Sequence, residues 1–224
     1  MVGVIKSNSR AIQQSLGLSS NEIYSMTYDL LKDMPFGGGL LDFGSGRGRL
    51  LDQLSGLKFD KMTGADLMGR PVELPAAINW IQADLNQQLP LEKESFDVII
   101  AIEVIEHLEN PRAMMRELYR LLRPGGQLII STPNNESFRS LLSLIYRGHF
   151  VSFLERDYPA HITALTAMDL TRIMDENNFS NPEFYFTNKG LIPGLKGLTW
   201  QGISFSILNG KRFSDNIFAV AKKI

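Results

Sequence analysis

Four acidic residues each lie within or just after a short apolar run typical of a buried strand. They are Asp42, Asp66, Asp84 and Glu103. The carboxyl ends of parallel strands meet along one edge of a sheet, so the four carboxylates are expected to gather there. Such an edge attracts a cationic ligand and repels a pyrophosphate.

Three glycines follow the first of these carboxylates. In "LLDFGSGRGRL" (residues 40–50), Gly44, Gly46 and Gly48 form G-x-G-x-G, and Arg49 stands where a dinucleotide-binding G-x-G-x-x-G motif has its third glycine. Glycines let the backbone approach a ligand closely. A ligand with a sulfonium and an ammonium group suits the neighbouring carboxylates, which favours S-adenosylmethionine over NAD. A tight strand-to-helix turn without a ligand remains the alternative.

The later carboxylates have more specific candidate roles. The number of residues between Asp42 and Asp66 is about the spacing at which dinucleotide folds have the acidic residue that binds the ribose hydroxyls. Asp84 is placed to accept a hydrogen bond from an adenine amino group. The alternative for both residues is a helix cap or a solvated strand end.

The segment "EVIEHLENP" (103–111) brings three further groups together. Glu103, Glu106 and His107 have i, i+3, i+4 spacing, which places them on one face of a helical turn. His107 is the candidate catalytic base, since an imidazole is poised near neutral pH. Local packing without catalysis is a second interpretation.

The same three residues also allow a divalent cation site. Either His149 or His161 would complete its ligands. A helix directs adjacent side chains about 100° apart, so joint ligation by Glu106 and His107 needs a distorted turn. We therefore expect transfer without a metal.

Strand-like and helix-like patterns alternate along the chain. Strands are predicted at 38–44, 61–67, 78–85, 96–102, 126–132, 183–187 and 216–223. Helices are predicted around 50–57, 110–126 and 166–179, the second opening with an Asn-Pro cap and ending at Pro-Gly-Gly. The alternation predicts an α/β fold: a doubly wound, mostly parallel seven-stranded sheet, with N-terminal helices and a helical insertion after the fifth strand.

Composition excludes several classes of protein. The 224 residues are 44% hydrophobic, carry a net charge of −1 and include no cysteine. A disulfide scaffold, a thiolate metal site and a cysteine nucleophile are therefore excluded. Nothing indicates nucleic-acid binding by a global positive field, and no apolar run approaches the length of a membrane span. The start lacks a signal-peptide pattern, so a cytoplasmic protein is expected.

Five motifs occur together in a recognisable order: "LLDFGSGRGRL", "TGADL", "QADL", "FDVIIAIEVIEHLENP" and "LYRLLRPGGQLIISTPN". Their order and spacing resemble the class I S-adenosylmethionine-dependent methyltransferases. The resemblance is nearest to the subgroup of ubiquinone-biosynthesis O-methyltransferases and related small-molecule and glycan methyltransferases. It is strong over about 36–135 and loose over about 160–180.

The resemblance implies a set of cofactor-binding residues. The backbone at Gly44 and Gly46 would face the methionine part of the cofactor, with Asp42 supporting that loop; Ser45 stands where many relatives have cysteine. Asp66 would bind the ribose. The full set is Asp42, Gly44, Ser45, Gly46, Gly48, Asp66, Leu67, Asp84, Leu85 and Glu103.

The chain is interpreted as one methyltransferase domain, 1–224. Its parts are N-terminal helices (1–35), the cofactor-binding core (36–133), an acceptor-side insertion or lid (134–165) and the C-terminal part of the sheet (166–224). Apolar and arginine side chains within 141–156 suit a lid over an apolar acceptor, peripheral membrane contact or an ordinary helical cap.

The expected function is O-methylation of a small-molecule, quinone, phenol or glycan acceptor. Metal-dependent O-methylation through Glu103, Glu106 and His107 is one alternative. A non-catalytic cofactor-binding regulator and an NAD-dependent oxidoreductase are alternatives of other classes. The oxidoreductase would need a hydride-transfer pair such as Tyr-Lys, and none is found.

Overall fold

A computed structural model describes residues 17–34, 37–195 and 197–224. The helices expected within 1–16 lie outside this range. Seven strands form one sheet: β1 (Gly39–Phe43), β2 (Lys61–Asp66), β3 (Asn79–Gln82), β4 (Phe96–Ile102), β5 (Leu122–Pro133), β6 (Glu183–Phe186) and β7 (Asn216–Lys222). The helices are α1 (Asn21–Leu31), α2 (Arg49–Leu54), α3 (Pro111–Leu121), α4 (Phe138–Arg147), α5 (Ala167–Asp175) and α6 (Trp200–Ser204).

The strands lie in the order β3-β2-β1-β4-β5-β7-β6. The first five are parallel, and β7 is antiparallel to both β5 and β6. Strand order reverses at β1, next to β4, which is where ligands bind in open α/β sheets. The predicted doubly wound, mostly parallel seven-stranded sheet is confirmed.

Both faces of the sheet are covered, as the predominantly apolar sequences of β1 and β4 require. Leu40 and Ile100 point to the face covered by α1 and α2, where they join Ile23 and Leu51 in one buried cluster. Their neighbours in sequence point to the other face. Leu41, Ile99, Met115 and Leu170 belong to a second cluster that includes α3 and α5.

Capping residues set the helix starts. The Asn110 side chain accepts from the main-chain N–H of Ala113, with Pro111 in the first turn of α3. Thr166 and Asp169 form a capping box at the start of α5. The predicted end of α3 is wrong: the helix stops at Leu121, and the Pro-Gly-Gly segment belongs to the long strand β5.

The helical insertion after β5 is confirmed. It contains α4, which begins after the cap Ser137, and a 3-10 turn at Glu155–Asp157. A second irregular region with α6 connects β6 to β7. None of the helices in the described part of the chain is long and apolar enough to cross a membrane.

Candidate functional site

A cavity of about 380 Å³ lies at the carboxyl ends of β1, β2 and β4. The predicted site residues that line it are Asp42, Gly44, Ser45, Gly46, Asp66, Leu67, Asp84, Leu85, Glu103 and His107. Gly48 does not line the cavity and instead caps the start of α2 with a φ of 72°. All the predicted site residues except Gly48 therefore line the cavity.

The glycine loop needs its glycines for two reasons. Gly44 and Gly46 have φ values of 90° and 52°, in the left-handed region that favours glycine. A Cβ at Gly44 would overlap the side chain of Val104, and one at Gly46 would overlap the main-chain oxygen of Gly17. The loop thus turns sharply while its backbone stays open to the cavity.

Asp66 fixes this loop through its carboxylate. Its Oδ2 accepts from the Gly46 N–H at 2.7 Å, and its Oδ1 accepts from the Met68 N–H at 2.8 Å. Burial raises the pKa of Asp66 despite these hydrogen bonds. Asp84 is held less firmly, by an Asx turn in which its Oδ1 accepts from the Asn86 N–H at 3.0 Å.

Asp42 is the most isolated carboxylate of the cavity wall. Its side chain is buried, and its Oδ2 has no hydrogen-bond partner among the described residues. Burial raises the pKa of Asp42 to about 7. A buried oxygen without a donor, next to a cavity, suits a ligand that brings a positive charge or a hydrogen-bond donor.

Glu103 begins the loop after β4 in a strained conformation. Its φ is 54°, which a residue with a Cβ rarely adopts. The Ser131 hydroxyl donates to its Oε1 at 2.8 Å, and the Asn216 amide donates to its Oε2 at 3.1 Å. Burial, followed by the nearby Glu106, raises the pKa of Glu103 well above its usual value.

His107 ends a short 3-10 turn, Ile105–His107. Its Nδ1 lies 2.8 Å from the main-chain oxygen of Ala160. In the neutral ring that contact places the proton on Nδ1 and the lone pair on Nε2. Burial lowers the pKa of His107, so the imidazole is neutral at neutral pH.

Glu106 and His161 lie beside this histidine. The rings of His107 and His161 are 4.8 Å apart, and His161 Nδ1 lies 2.7 Å from the Ser152 main-chain oxygen. Glu106 is fully buried; Thr132 donates to its Oε2 at 3.1 Å, and its Oε1 has no partner in the described ranges. Burial raises the pKa of Glu106 to about 8.

One group of residues could hold a metal ion. Ligand atoms of Glu106, His107 and His161 all lie within 4.8 Å of one another. The group differs from the alternative in the sequence analysis, because Glu103 and His149 are not part of it. An α-helix would direct the side chains of Glu106 and His107 apart, but this segment is a 3-10 turn. It brings Glu106 Oε1 to 4.0 Å from His107 Nε2.

The N-terminal wall of the cavity was not predicted from the sequence. The main-chain oxygen of Gly17 accepts from the Arg47 N–H at 3.1 Å, and the Ser19 N–H donates to the Tyr24 hydroxyl at 2.8 Å. The Arg49 guanidinium lies 5.6 Å from the centre of the Tyr24 ring. No local sequence motif predicts this N-terminal wall, because contacts with the glycine loop and α2 form it.

Comparison with known proteins identifies the family and the fold. A family model described as a methyltransferase domain matches residues 27–183. A ubiquinone biosynthesis O-methyltransferase from Pseudomonas putida is 30% identical over 126 residues, 52% of this chain and 53% of that protein. The chain thus spans about half the length of the curated relatives it matches.

Solved structures show the same fold at lower identity. A SAM-dependent methyltransferase from Archaeoglobus fulgidus is 17% identical with a TM-score of 0.65, covering 94% of this chain and 97% of that one. The N-methyltransferase NodS from Bradyrhizobium japonicum, in complex with S-adenosyl-L-homocysteine, is 18% identical with a TM-score of 0.57, covering 90% and 86%.

These findings confirm the predicted family, fold and cofactor. They lend no support to the NAD-dependent oxidoreductase alternative. The family match covers well over half of the chain, including the glycine loop and every carboxylate of the cavity wall. The chain belongs to the methyltransferase-domain family and has the S-adenosylmethionine-dependent methyltransferase fold.

Proposed function

We propose that this chain transfers a methyl group from S-adenosylmethionine to a hydroxyl group of a small-molecule acceptor. The observation that carries the proposal is the position of His107 in the cavity wall. Its neutral imidazole presents a free Nε2 next to a group of buried carboxylates. A base and a cation-binding wall in one cavity are what transfer from a sulfonium to a hydroxyl requires.

The cofactor's charged groups match the wall. The unpartnered Asp42 Oδ2 suits the ammonium of the methionine part, which the open glycine loop lets approach. Asp66 is the candidate for the ribose hydroxyls, because each of its oxygens keeps one acceptor position beyond the main-chain bonds it makes. Asp84 and the Leu85 amide are the candidates for adenine.

The cofactor supplies an activated methyl group that is displaced in line. Most of the rate then comes from holding the acceptor oxygen in line with that bond. His107 Nε2 takes the hydroxyl proton as the oxygen attacks, and the Ala160 oxygen keeps the ring in the required tautomer. Depression of the His107 pKa by burial keeps the base unprotonated at neutral pH.

The name of a relative supports the proposed acceptor class. The P. putida relative is named as a ubiquinone biosynthesis O-methyltransferase. A phenol, hydroquinone or glycan hydroxyl is therefore the proposed nucleophile. A hydroxyl also fits a base at His107 better than a neutral amine does, because a neutral amine attacks without losing a proton first, whereas a hydroxyl becomes a good nucleophile by losing its proton.

One observation favours a second version of the same reaction. Glu106, His107 and His161 could bind a divalent cation, which would lower the pKa of an acceptor hydroxyl held next to it. The similar proteins lend no support to metal-dependent transfer. We therefore retain His107 as the base, and the test below includes the result that would indicate metal-dependent transfer instead.

The test replaces His107 by alanine and follows labelled methyl transfer into phenol, hydroquinone and glycan panels. Turnover is expected to fall by about 10²–10⁴-fold, with S-adenosylhomocysteine affinity by calorimetry nearly unchanged. His149→Ala is the matched control, because among the described residues its ring forms a hydrogen bond only with the main-chain oxygen of the neighbouring Phe150.

Three results would contradict the proposal. Unchanged turnover of His107→Ala over the whole pH range would remove the residue from the mechanism. Loss of wild-type activity in a chelator, with a metal ion at about one per chain, would favour the cation version. Cofactor binding without transfer to any panel would indicate a non-catalytic regulator.

A further inference from the structure

The cofactor carries a carboxylate, and the described part of the cavity wall has no lysine or arginine to bind it. The methionine part of the cofactor has its ammonium and its carboxylate on the same carbon, so the groups that bind them lie close together. Asp42 is the candidate for the ammonium. A carboxylate taken out of water needs a positive charge or several hydrogen-bond donors.

The glycine loop has no main-chain donor left for this carboxylate. Each N–H group of residues 44–48 already donates within the protein. The accepting oxygens belong, in chain order, to Ala65, Ala65, Asp66, Gly17 and Ser45. The Ser45 hydroxyl is used as well, because it donates to the Asp42 main-chain oxygen at 2.7 Å. Donors for the carboxylate are therefore expected in another part of the wall.

Charge favours the N-terminal wall of the cavity. Acidic side chains line the cavity at the ends of the strands and repel a further carboxylate whenever they are ionised. The N-terminal wall includes no acid and consists of Gly17, Leu18, Ser19, Ser20, Ile23 and Tyr24. It also contacts the glycine loop, since the Gly17 oxygen accepts from the Arg47 N–H. A carboxylate beside the glycine loop would thus face this wall.

Two hydroxyl groups of the N-terminal wall are free to donate. The Tyr24 hydroxyl accepts from the Ser19 N–H at 2.8 Å, and the described residues offer no acceptor for its own proton. The Ser19 hydroxyl also has no hydrogen-bond partner in the described ranges. Tyr24 is 5% exposed, and its ring packs beneath the Arg49 guanidinium. The phenol is therefore held in the wall with its proton available.

We propose that the hydroxyl groups of Tyr24 and Ser19 bind the carboxylate of the cofactor's methionine part. Each donates one hydrogen bond to an anionic oxygen, and such charge-assisted hydrogen bonds are stronger than neutral ones. The proposal rests on the proposed position of the ammonium at Asp42. Neutral donors also suit this place, because a lysine or arginine there would repel the sulfonium and compete for Asp42.

The test compares two ligands by calorimetry. One is S-adenosylhomocysteine, and the other is its decarboxylated analogue, which keeps the amine. Tyr24→Phe removes the donor and keeps the ring. The affinity for S-adenosylhomocysteine should fall by about 10- to 100-fold, as for a lost hydrogen bond to a charged group, while the affinity for the analogue stays nearly the same. Ser19→Ala should give a smaller loss with the same selectivity.

Two further variants serve as controls. Tyr28→Phe is the matched control, because Tyr28 lies one turn further along α1, is 40% exposed and does not line the cavity. It should leave both affinities unchanged. Arg49→Met removes a cation beside the wall, and its effect should be the same for both ligands.

Three results would overturn the proposal. An equal loss for both ligands in Tyr24→Phe would show that the hydroxyl only supports the wall. Unchanged affinity for S-adenosylhomocysteine in that variant would remove the hydroxyl from the site. A loss confined to S-adenosylhomocysteine in Arg49→Met, and absent from Tyr24→Phe, would assign the carboxylate to the arginine. Because no methyl transfer is measured, failure of this proposal stays distinguishable from failure of the proposed function.

Discussion

The two sides of the cavity are built in different ways. On the cofactor side, Gly44 and Gly46 follow β1, and Asp66 ends the neighbouring strand β2. The Gly46 N–H donates to the Asp66 carboxylate and the Gly44 N–H donates to the Ala65 oxygen, which fixes the loop. On the acceptor side, His107 meets Ala160 and Glu103 meets Asn216, which belong to distant parts of the chain. The first arrangement leaves a local pattern in the sequence, and the second does not.

The difference has a functional consequence. The cofactor is the same for every member of such a family, so its side can be fixed by backbone conformation and main-chain hydrogen bonds. The acceptor side must be adjusted to one acceptor. We assign α4, with its buried serines, and the β6–β7 connection to the proposed acceptor side; both are inserted between strands without changing the sheet.

The largest expected effect comes from breaking the cofactor side. In Gly46→Ala, the alanine would have to keep the left-handed φ of 52°, and its Cβ would overlap the Gly17 oxygen. The loop must shift to relieve this overlap, and a displacement of about 1 Å at such a site costs about 100-fold in function. S-adenosylhomocysteine affinity by calorimetry should fall by about that factor.

Gly125→Ala is the matched control for that loss. Gly125 also has a left-handed φ, of 76°, but a Cβ there meets nothing within 4 Å. Its variant should lose a little stability and retain cofactor affinity. If both variants bound the cofactor equally well, close packing of Gly46 against Gly17 would not matter for the site.

An intermediate effect should come from the charge of Asp42. Its pKa of about 7 means that the carboxyl is largely protonated at pH 6 in the free protein. A cationic cofactor prefers the ionised form, so its dissociation constant should rise about tenfold between pH 8 and pH 6. Calorimetry across that range measures the change.

Asp42→Asn identifies the group responsible. This variant should bind more weakly at pH 8 and lose most of the pH dependence. It should also be more stable than wild type at pH 8 without cofactor: the raised native pKa makes Asp42 cost stability as pH rises from about 4 to about 7. An unchanged pH profile in Asp42→Asn would assign the titration to another carboxylate.

The fold and the cofactor side could be predicted from the sequence for physical reasons. Apolar runs such as 96–102 require burial on both faces, and helix caps such as Asn110 and Thr166 act within a few residues. Positive φ values select glycine at positions 44 and 46. Each signal is local and therefore visible in the sequence.

The acceptor side was less predictable, because its geometry depends on distant contacts. The 3-10 turn at Ile105–His107 was expected to be helical, and only the folded chain brings Glu106 within 4.0 Å of the His107 ring. His161 joins the site through Ser152 and Phe153, which no spacing rule connects to His107. The N-terminal wall that contains Tyr24 was not predicted for the same reason.

The smallest expected effect concerns the inner face of α4. The Ser143 hydroxyl is buried and has no hydrogen-bond partner among the described residues. Ser143→Ala removes that unmet polar group and introduces a better helix former, so the free energy of unfolding should rise by about 1 kcal/mol. Urea denaturation measures the change, with Ser140→Ala as control because the Ser140 hydroxyl accepts from the Val151 N–H. A loss of stability in Ser143→Ala, equal to that in Ser140→Ala, would show that the acceptor side is as tightly satisfied as the glycine loop, and the contrast between the two sides would fail.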